Sequence, residues 1–200
     1  MRRVSSTAGL LLTGGTSSRL GVAKAELRRD GERLADRGAR LVASVCTVAL
    51  EVGPGVSPLP AVREDPPGAG PLAALVAGAD ALARSGGRRP VLVLAVDLPF
   101  VEVPLLRWLV EHPAPGTVVP RVDGRPQPLC ARYAAADLTV AAALRAGGAA
   151  AMHDLLAAVP VTYEDEPGWG AVTTAAAFTD VDTPDAVRRA GLTGPAATPG

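Results

Sequence analysis

The residues with the most chemical promise stand near the front of the chain, in Leu12-Thr13-Gly14-Gly15-Thr16-Ser17-Ser18-Arg19-Leu20-Gly21-Val22-Ala23-Lys24. Paired glycines after an apolar run let the backbone approach a ligand closely and aim successive N–H groups at phosphate oxygens. Arg19 and Lys24, on the same segment, could neutralise a triphosphate. The spacing is neither the dinucleotide fingerprint GxGxxG nor the Walker loop GxxxxGK[ST]. An ordinary strand-to-helix turn carrying two solvent-facing bases accounts for these residues equally well.

Asp97 is the second candidate, directly after the run Val91 to Val96. A carboxylate at the carboxyl end of a buried parallel strand sits where open α/β sheets bind ligands. A hard oxygen there suits Mg²⁺, which joins one or two carboxylates to substrate phosphates. The competing role is an N-cap for the helix after Pro99. In Phe178-Thr179-Asp180-Val181-Asp182-Thr183-Pro184-Asp185, Asp182 or Thr183 caps a helix whose first residue is Pro184, a complete structural explanation. Glu64-Asp65-Pro66-Pro67-Gly68-Ala69-Gly70-Pro71-Leu72 reads as a rigid loop feeding a helix, or as one wall of a base pocket. His112 and His153 lack metal-ligand spacing, and Trp108 and Trp169 read as packing residues. The pairs Arg28-Arg29 and Arg88-Arg89 read as solvated turns.

The elements that must position these groups alternate between short apolar runs and longer Ala/Leu-rich segments, the pattern of an α/β layered sheet. Strands are expected at Ala8 to Leu12, Val45 to Val52, Val91 to Val96, Thr117 to Pro120, Val159 to Tyr163 and Phe178 to Val181, with an extended link at Pro58 to Val62. Helices are expected at Glu32 to Ser44, Pro71 to Gly86, Pro104 to Glu111, Ala135 to Arg145, Ala150 to Ala158 and from Pro184. Asp123-Gly124 carries a turn signal, behind which Gln127 to Tyr133 could pair. One domain is expected over residues 1–190, followed by a disordered tail over 191–200 rich in Gly, Pro, Thr and Ala.

Composition narrows the partners. The 200 residues suffice for one self-supporting core, and 20 basic against 20 acidic residues leave no net charge to favour nucleic acid. With aromatics at 3 %, the core must be built from Ala, Val and Leu. Cys46 and Cys130 lie in apolar stretches without zinc-ligand spacing and read as buried thiols. The run after Met1-Arg2-Arg3 is too short for a signal peptide, and nothing reaches the ~20 residues of a membrane span. A soluble, cytoplasmic protein without membrane contact is expected.

Taken in order, these motifs resemble the molybdenum cofactor guanylyltransferases and their relatives. That family runs LAGGxSxRMGxDK, D…GPLAG, a strand ending CDMP, a PL…Y segment, then NxNTPED. This chain offers LLTGGTSSRLGVAK, EDPPGAGPLAAL, LAVDLPF, GRPQPLCARY and FTDVDTPDAV over residues 8 to 190. The resemblance implies a three-layer, Rossmann-like α/β nucleotidyltransferase fold with a mostly parallel central sheet. It implies a Mg²⁺-dependent enzyme that transfers GMP from GTP to the terminal phosphate of molybdopterin. By position, Leu12, Thr13, Gly14 and Gly15 would lie along the nucleotide, Lys24 and Arg19 would hold phosphates, Asp65 would contact the nucleoside, and Asp97 would bind the metal. Passing contact with molybdoenzymes or other proteins of cofactor biosynthesis is also implied.

The chain departs from that pattern in four places. Ala23 replaces the acid before the lysine, and Thr13 replaces a small alanine. Asp180 and Asp182 replace two asparagines, and cytidylyltransferases for the same cofactor read DIDTPED there. A CTP-using relative is therefore one alternative; a nucleotide-binding adaptor without catalysis, suggested by Ala23, is another.

Overall fold

Ala8–Leu12 forms β1, and all five residues are buried because helices cover both faces of the sheet. The structure, a computed structural model, describes residues 7–14 and 23–194. After β1 come a short hairpin, β2 (Arg28–Arg29) and β3 (Glu32–Arg33), then α1 (Leu34–Ala43), β4 (Ala49–Val52), β5 (Ala61–Val62) and α2 (Pro71–Gly86). Next are β6 (Val91–Ala95), α3 (Val103–Glu111), β7 (Thr117–Val122), β8 (Arg125–Pro126) and β9 (Cys130–Tyr133). The chain then runs through α4 (Asp137–Ala146), α5 (Met152–Ala158), β10 (Val161–Glu164), α6 (Glu166–Trp169) and α7 (Pro184–Arg189).

The main sheet has the order β10-β7-β9-β6-β1-β4-β5, with β8 paired to β7. β5, β4, β1 and β6 are parallel, and β10 is parallel to β7. β9 is inserted antiparallel between β6 and β7, and β8 pairs antiparallel with β7. Successive side chains on a strand point to opposite faces. Accordingly Leu10 and Leu12 of β1, with Val91 and Val93 of β6, pack with α2, α4 and α5 on one side. Leu11, Leu92 and Leu94 pack with α1 and α3 on the other. Each fully buried Leu contributes roughly 1.5–3 kcal/mol, so these two clusters fix both the layering and the register. The result is the expected mostly parallel three-layer α/β sheet.

Several local boundaries differ from the sequence reading. Val45 and Cys46 do not enter β4, because their amides still donate to Val42 O at 3.2 and 3.0 Å and prolong the turn after α1. Glu32 and Arg33 pair with Arg28 and Arg29 instead of starting α1, around an Asp30-Gly31 turn with φ of 52° and 82°. Arg28-Arg29 is therefore a strand, not a solvated turn. The expected strand at Phe178 to Val181 is absent. Ala175–Phe178 forms a 3-10 turn, and Val181 makes a single backbone bond, to Asp97 O at 3.2 Å. Residues 191–194 belong to the fold, since Leu192 is buried and Thr193 exchanges backbone bonds with Arg28. Residues 195–200 lie outside the described residues. Among the described residues, no helix is long and apolar enough to cross a membrane.

Candidate active site

The carboxyl ends of β1 and β6 lie side by side, with Leu12 opposite Ala95 and Val96 N donating to Leu12 O at 3.0 Å. Everything that follows these ends, Thr13-Gly14 on one strand and Asp97 on the other, is delivered to the same edge of the sheet. Thr13 donates its amide to Val52 O at 3.1 Å and its hydroxyl to Glu51 Oε1 at 2.6 Å. Gly53 runs against this turn, and a Cβ there would sit 2.2 Å from Thr13 Oγ1 and 2.9 Å from Gly14 N. Only glycine permits that approach. Gly15 and Arg19 lie outside the described residues.

Glu51 anchors the neighbouring loop. Fully buried, it also accepts from the amides of Gly55, Val56 and Ser57 at 2.7, 3.0 and 2.7 Å. Burial disfavours its charged form, but the hydrogen bonds from Thr13, Ser57 and Val56 outweigh it and hold its pKa below the usual carboxylate range.

Lys24 opens a 3-10 turn, Lys24–Glu26, on the far side of the glycine segment. Its ammonium lies 2.7 Å from Asp97 Oδ2 and also contacts Asp182 Oδ1. Desolvation disfavours the ammonium, yet the hydrogen bonds to Asp182 and Asp97 prevail and raise the Lys24 pKa. The bond from Val181 N to Asp97 O lays the segment after Phe178 across the end of β6, bringing Asp180 and Asp182 to the cluster. At Asp180 desolvation, then repulsion from Asp182 and Asp97, pushes the pKa up.

The capping explanations are now resolved. Thr183 caps α7, accepting from Ala186 N at 3.1 Å, which leaves Asp182 for Lys24. The N-cap position of α3 is Glu102, so Asp97 does not cap that helix and pairs instead with Lys24. Asp65 stands exposed on the loop after β5, next to a cis bond to Pro66. Its neighbour Glu64 is buried, accepts from Gly68 N at 3.0 Å and lies 3.4 Å from where a Cβ on Gly14 would be. The structure therefore brings Lys24 together with Asp97, adds Asp180 and Asp182, delivers Gly14 to the same edge of the sheet, and sets Glu64 rather than Asp65 against the glycine turn.

Glu51 and Glu64 escaped sequence reasoning, because nothing in Ala49-Leu50-Glu51-Val52 or Arg63-Glu64 distinguishes a buried carboxylate from a solvated one. His112, at the end of α3, contacts Glu164 at 3.3 Å, and His153 is exposed. Trp169 is buried in α6, donating to Arg121 O and Glu164 O at 3.2 and 3.1 Å, a packing role. Cys46 and Cys130 are free, buried thiols.

Among the described residues no group of three or more His, Cys, Asp or Glu side chains converges as a ready metal site. Asp97 and Asp182 nonetheless already share one cation, the Lys24 ammonium. Two hard carboxylates completed by substrate phosphates are a sufficient donor set for Mg²⁺, so the residues fit that ion.

The chain is similar in sequence and fold to known proteins. A probable molybdenum cofactor guanylyltransferase of Chloroflexus aggregans is 32 % identical over 193 residues, covering 88 % of this chain and 89 % of the relative. Another, from Opitutus terrae, is 36 % identical over 140 residues, covering 64 % and 67 %. Among solved structures, molybdopterin-guanine dinucleotide biosynthesis protein A from Archaeoglobus fulgidus superposes with a TM-score of 0.73 at 23 % identity, over 92 % of this chain and 96 % of that one. The 2-C-methyl-D-erythritol 4-phosphate cytidylyltransferase of Thermus thermophilus shares the fold at a TM-score of 0.61 and 20 % identity, over 90 % and 95 %. The family model of the MobA-like NTP transferase domain matches residues 9–165, from β1 to just past β10, and the chain belongs to that family.

Proposed function

We propose that this nucleotidyltransferase moves GMP from GTP to the terminal phosphate of molybdopterin, giving the guanine dinucleotide cofactor and pyrophosphate. The observation that carries the reading is the meeting of Lys24, Asp97 and Asp182 at the carboxyl ends of β1 and β6, beside the Thr13-Gly14 turn. Guanylyltransferase relatives at 32 % and 36 % identity supply the choice of substrates.

An oxygen of the acceptor phosphate attacks the α-phosphorus, and the bond to pyrophosphate breaks as the new P–O bond forms. The nucleophile is already an oxyanion, so no general base is needed. The protein's task is to hold two mutually repelling anions in line. Lys24 and Arg19 neutralise phosphate charge, and the amides of Gly14 and Gly15 donate to phosphate oxygens. Thr13 spends its own amide on Val52, so with Leu12 it shapes the nucleotide's bed. Asp65 contacts the nucleoside. Mg²⁺ held by Asp97, with Asp182 beside it, would supply further neutralisation of the phosphates. A reaction drawing on GTP belongs in the cytoplasm.

Transfer and binding with GTP against CTP in Mg²⁺, on wild type and Asp97→Ala, test the proposal. GTP-dependent transfer that collapses in Asp97→Ala is expected. Preference for CTP would move the assignment to the cytidylyl relatives and leave the mechanism in place. Binding of neither nucleotide would overturn it.

A further inference from the structure

Of the 20 basic residues in the chain, 19 are arginines and Lys24 is the single lysine. Every other ion pair among the described residues uses a guanidinium or an imidazole. Arg33 grips Asp36 through two nitrogens at 2.8 and 2.8 Å, and Arg40 grips Glu32 the same way at 2.9 and 2.8 Å. Such forked pairs are strong and hold one geometry. An ammonium is a compact point charge on a flexible four-carbon stem, able to turn to new acceptors. The chain places that mobile cation between Asp97 and Asp182.

The surroundings fix everything except that side chain. Glu26 N donates to Ala23 O at 3.0 Å and Leu27 N to Lys24 O at 3.1 Å, while Ala25 and Leu27 are buried, so the backbone of the turn is anchored. Glu26, the acid within the turn, is taken by Arg33 at 3.0 Å and does not compete for Lys24. The carboxylates are anchored too, because the bond from Val181 N to Asp97 O at 3.2 Å ties their two segments together. The Lys24 stem is the part free to move. Lys24 and Asp97 side chains are 19 % exposed and that of Asp182 is 50 % exposed, so the pair opens to solvent on the Asp182 side.

We propose that Lys24 is an exchangeable counter-ion of the Asp97–Asp182 pair, which accepts a divalent cation only as nucleotide phosphates draw the ammonium away. The inference rests on the transfer reading above, which gives Lys24 to the phosphates and the two aspartates to Mg²⁺. While Lys24 and the aspartates hold each other, neither role is open. Asp97 and Asp182 without a cation would repel one another, so the ammonium leaves only as another cation replaces it. Phosphates supply the new partner that makes the exchange favourable. The coupling is reciprocal: nucleotide tightens metal binding by the same factor as metal tightens nucleotide binding. The protein alone therefore excludes Mg²⁺, and metal and nucleotide enter together. A guanidinium at this position would keep its forked grip and hinder the exchange.

The test needs neither acceptor nor turnover. Mn²⁺ binding, read from the electron paramagnetic resonance of the unbound ion, would be titrated without nucleotide on wild type, Lys24→Ala and the charge-keeping Lys24→Arg. Salt at about 1 M, where the screening length is ~3 Å, suppresses the effect of merely deleting a distant charge. A second measurement uses wild type alone. Labelling with ¹⁵N-lysine gives one side-chain ammonium signal, since Lys24 is the single lysine. Lys24→Ala should bind Mn²⁺ at least tenfold more tightly than wild type, and Lys24→Arg no more tightly. The Lys24 signal should stay in place with Mg²⁺ alone and move when GTP and Mg²⁺ are added together. Mn²⁺ affinity of Lys24→Ala within twofold of wild type, or an equal gain in Lys24→Arg, would overturn the exchange. So would an ammonium signal unmoved in a wild type that has bound GTP and Mg²⁺. A wild type that binds no GTP, with Lys24→Ala still gaining Mn²⁺, would support the rivalry of ammonium and metal for the pair and overturn the transfer reading instead.

Discussion

Replacing Glu51 by glutamine should weaken the whole nucleotide edge, although Glu51 is fully buried and belongs to no sequence motif. Its Oε1 accepts from the Thr13 hydroxyl at 2.6 Å and from Gly55 and Val56 amides at 2.7 and 3.0 Å; Oε2 accepts from Ser57 N at 2.7 Å. Glutamine can keep the first three at its carbonyl, but its NH₂ then faces the Ser57 N–H, donor against donor. Hydrogen bonds to a charged group are worth about 1.5–3 kcal/mol each and neutral ones about 0.5–1.5, so three weakened bonds and one orphaned amide lose roughly 4–6 kcal/mol. Burying a neutral amide costs less than burying a charge, which returns part of this, leaving a net loss of about 2–3 kcal/mol. Urea denaturation should show a midpoint lowered by about 1 M with an unchanged slope. The pH dependence has a definite sign. The folded-state pKa of Glu51 is depressed, so its contribution is fully present above the unfolded value of about 4.3 and disappears as pH falls through the folded value. The gap between wild type and Glu51→Gln should hence close below about pH 4. A variant within about 0.5 kcal/mol of wild type at pH 7, or a gap that persists undiminished at pH 3, would refute the reasoning.

Two further substitutions separate chemistry from folding. Lys24→Ala should reduce turnover by about 10²–10³-fold, the scale for losing one charge-stabilising donor, while shifting the melting temperature little. Because pairing raises the Lys24 pKa, its share of stability is intact below about 10.4 and is lost as pH climbs through the higher folded value, so wild type and variant should converge in stability only in strong alkali. Near-normal turnover would sink the role given to Lys24. Gly53→Ala should destabilise by about 1–3 kcal/mol through overpacking against Thr13 Oγ1 and Gly14 N, and should weaken GTP binding several-fold. Unchanged GTP affinity in that variant would mean that the turn does not bed the nucleotide.

What the sequence disclosed follows from which signals are local. Val91–Ala95 is apolar at every position, which is how a strand buried on both faces must read, and Asp97 therefore had a place before any coordinates. Pro71 at the first helical position marked the start of α2 to the residue. The β2–β3 hairpin stayed hidden although Asp30-Gly31 is a hairpin turn signal, because Arg28, Arg29, Glu32 and Arg33 offer no apolar alternation to accompany it. Phe178 to Val181 misled for the opposite reason. Phe178 and Val181 are apolar because they are buried, but the segment crosses the end of β6 and has no strand beside it to pair with. The burial of Glu51 and Glu64 depends on tertiary partners far along the chain, which no window of sequence contains.

The departures from the guanylyltransferase pattern become coherent when read as charge balance in three dimensions. Thr13, where the pattern has alanine, supplies the hydroxyl that satisfies Glu51, so those two residues form one unit. Ala23 removes a carboxylate beside Lys24, which in isolation looks like the loss of a working part. Asp182, where the pattern has a neutral asparagine, places a carboxylate on that same lysine from across the site. A negative charge absent next to Lys24 in sequence is thus present next to it in space. The crowding this creates is visible at Asp180, whose carboxyl is pushed toward neutrality by desolvation and by its acidic neighbours. Among the described residues the cluster sets three aspartates against one lysine, and an incoming cation would relieve the repulsion between them. Ala23 therefore does not leave Lys24 without a second carboxylate, and nucleotide binding without turnover is the result that would favour the adaptor.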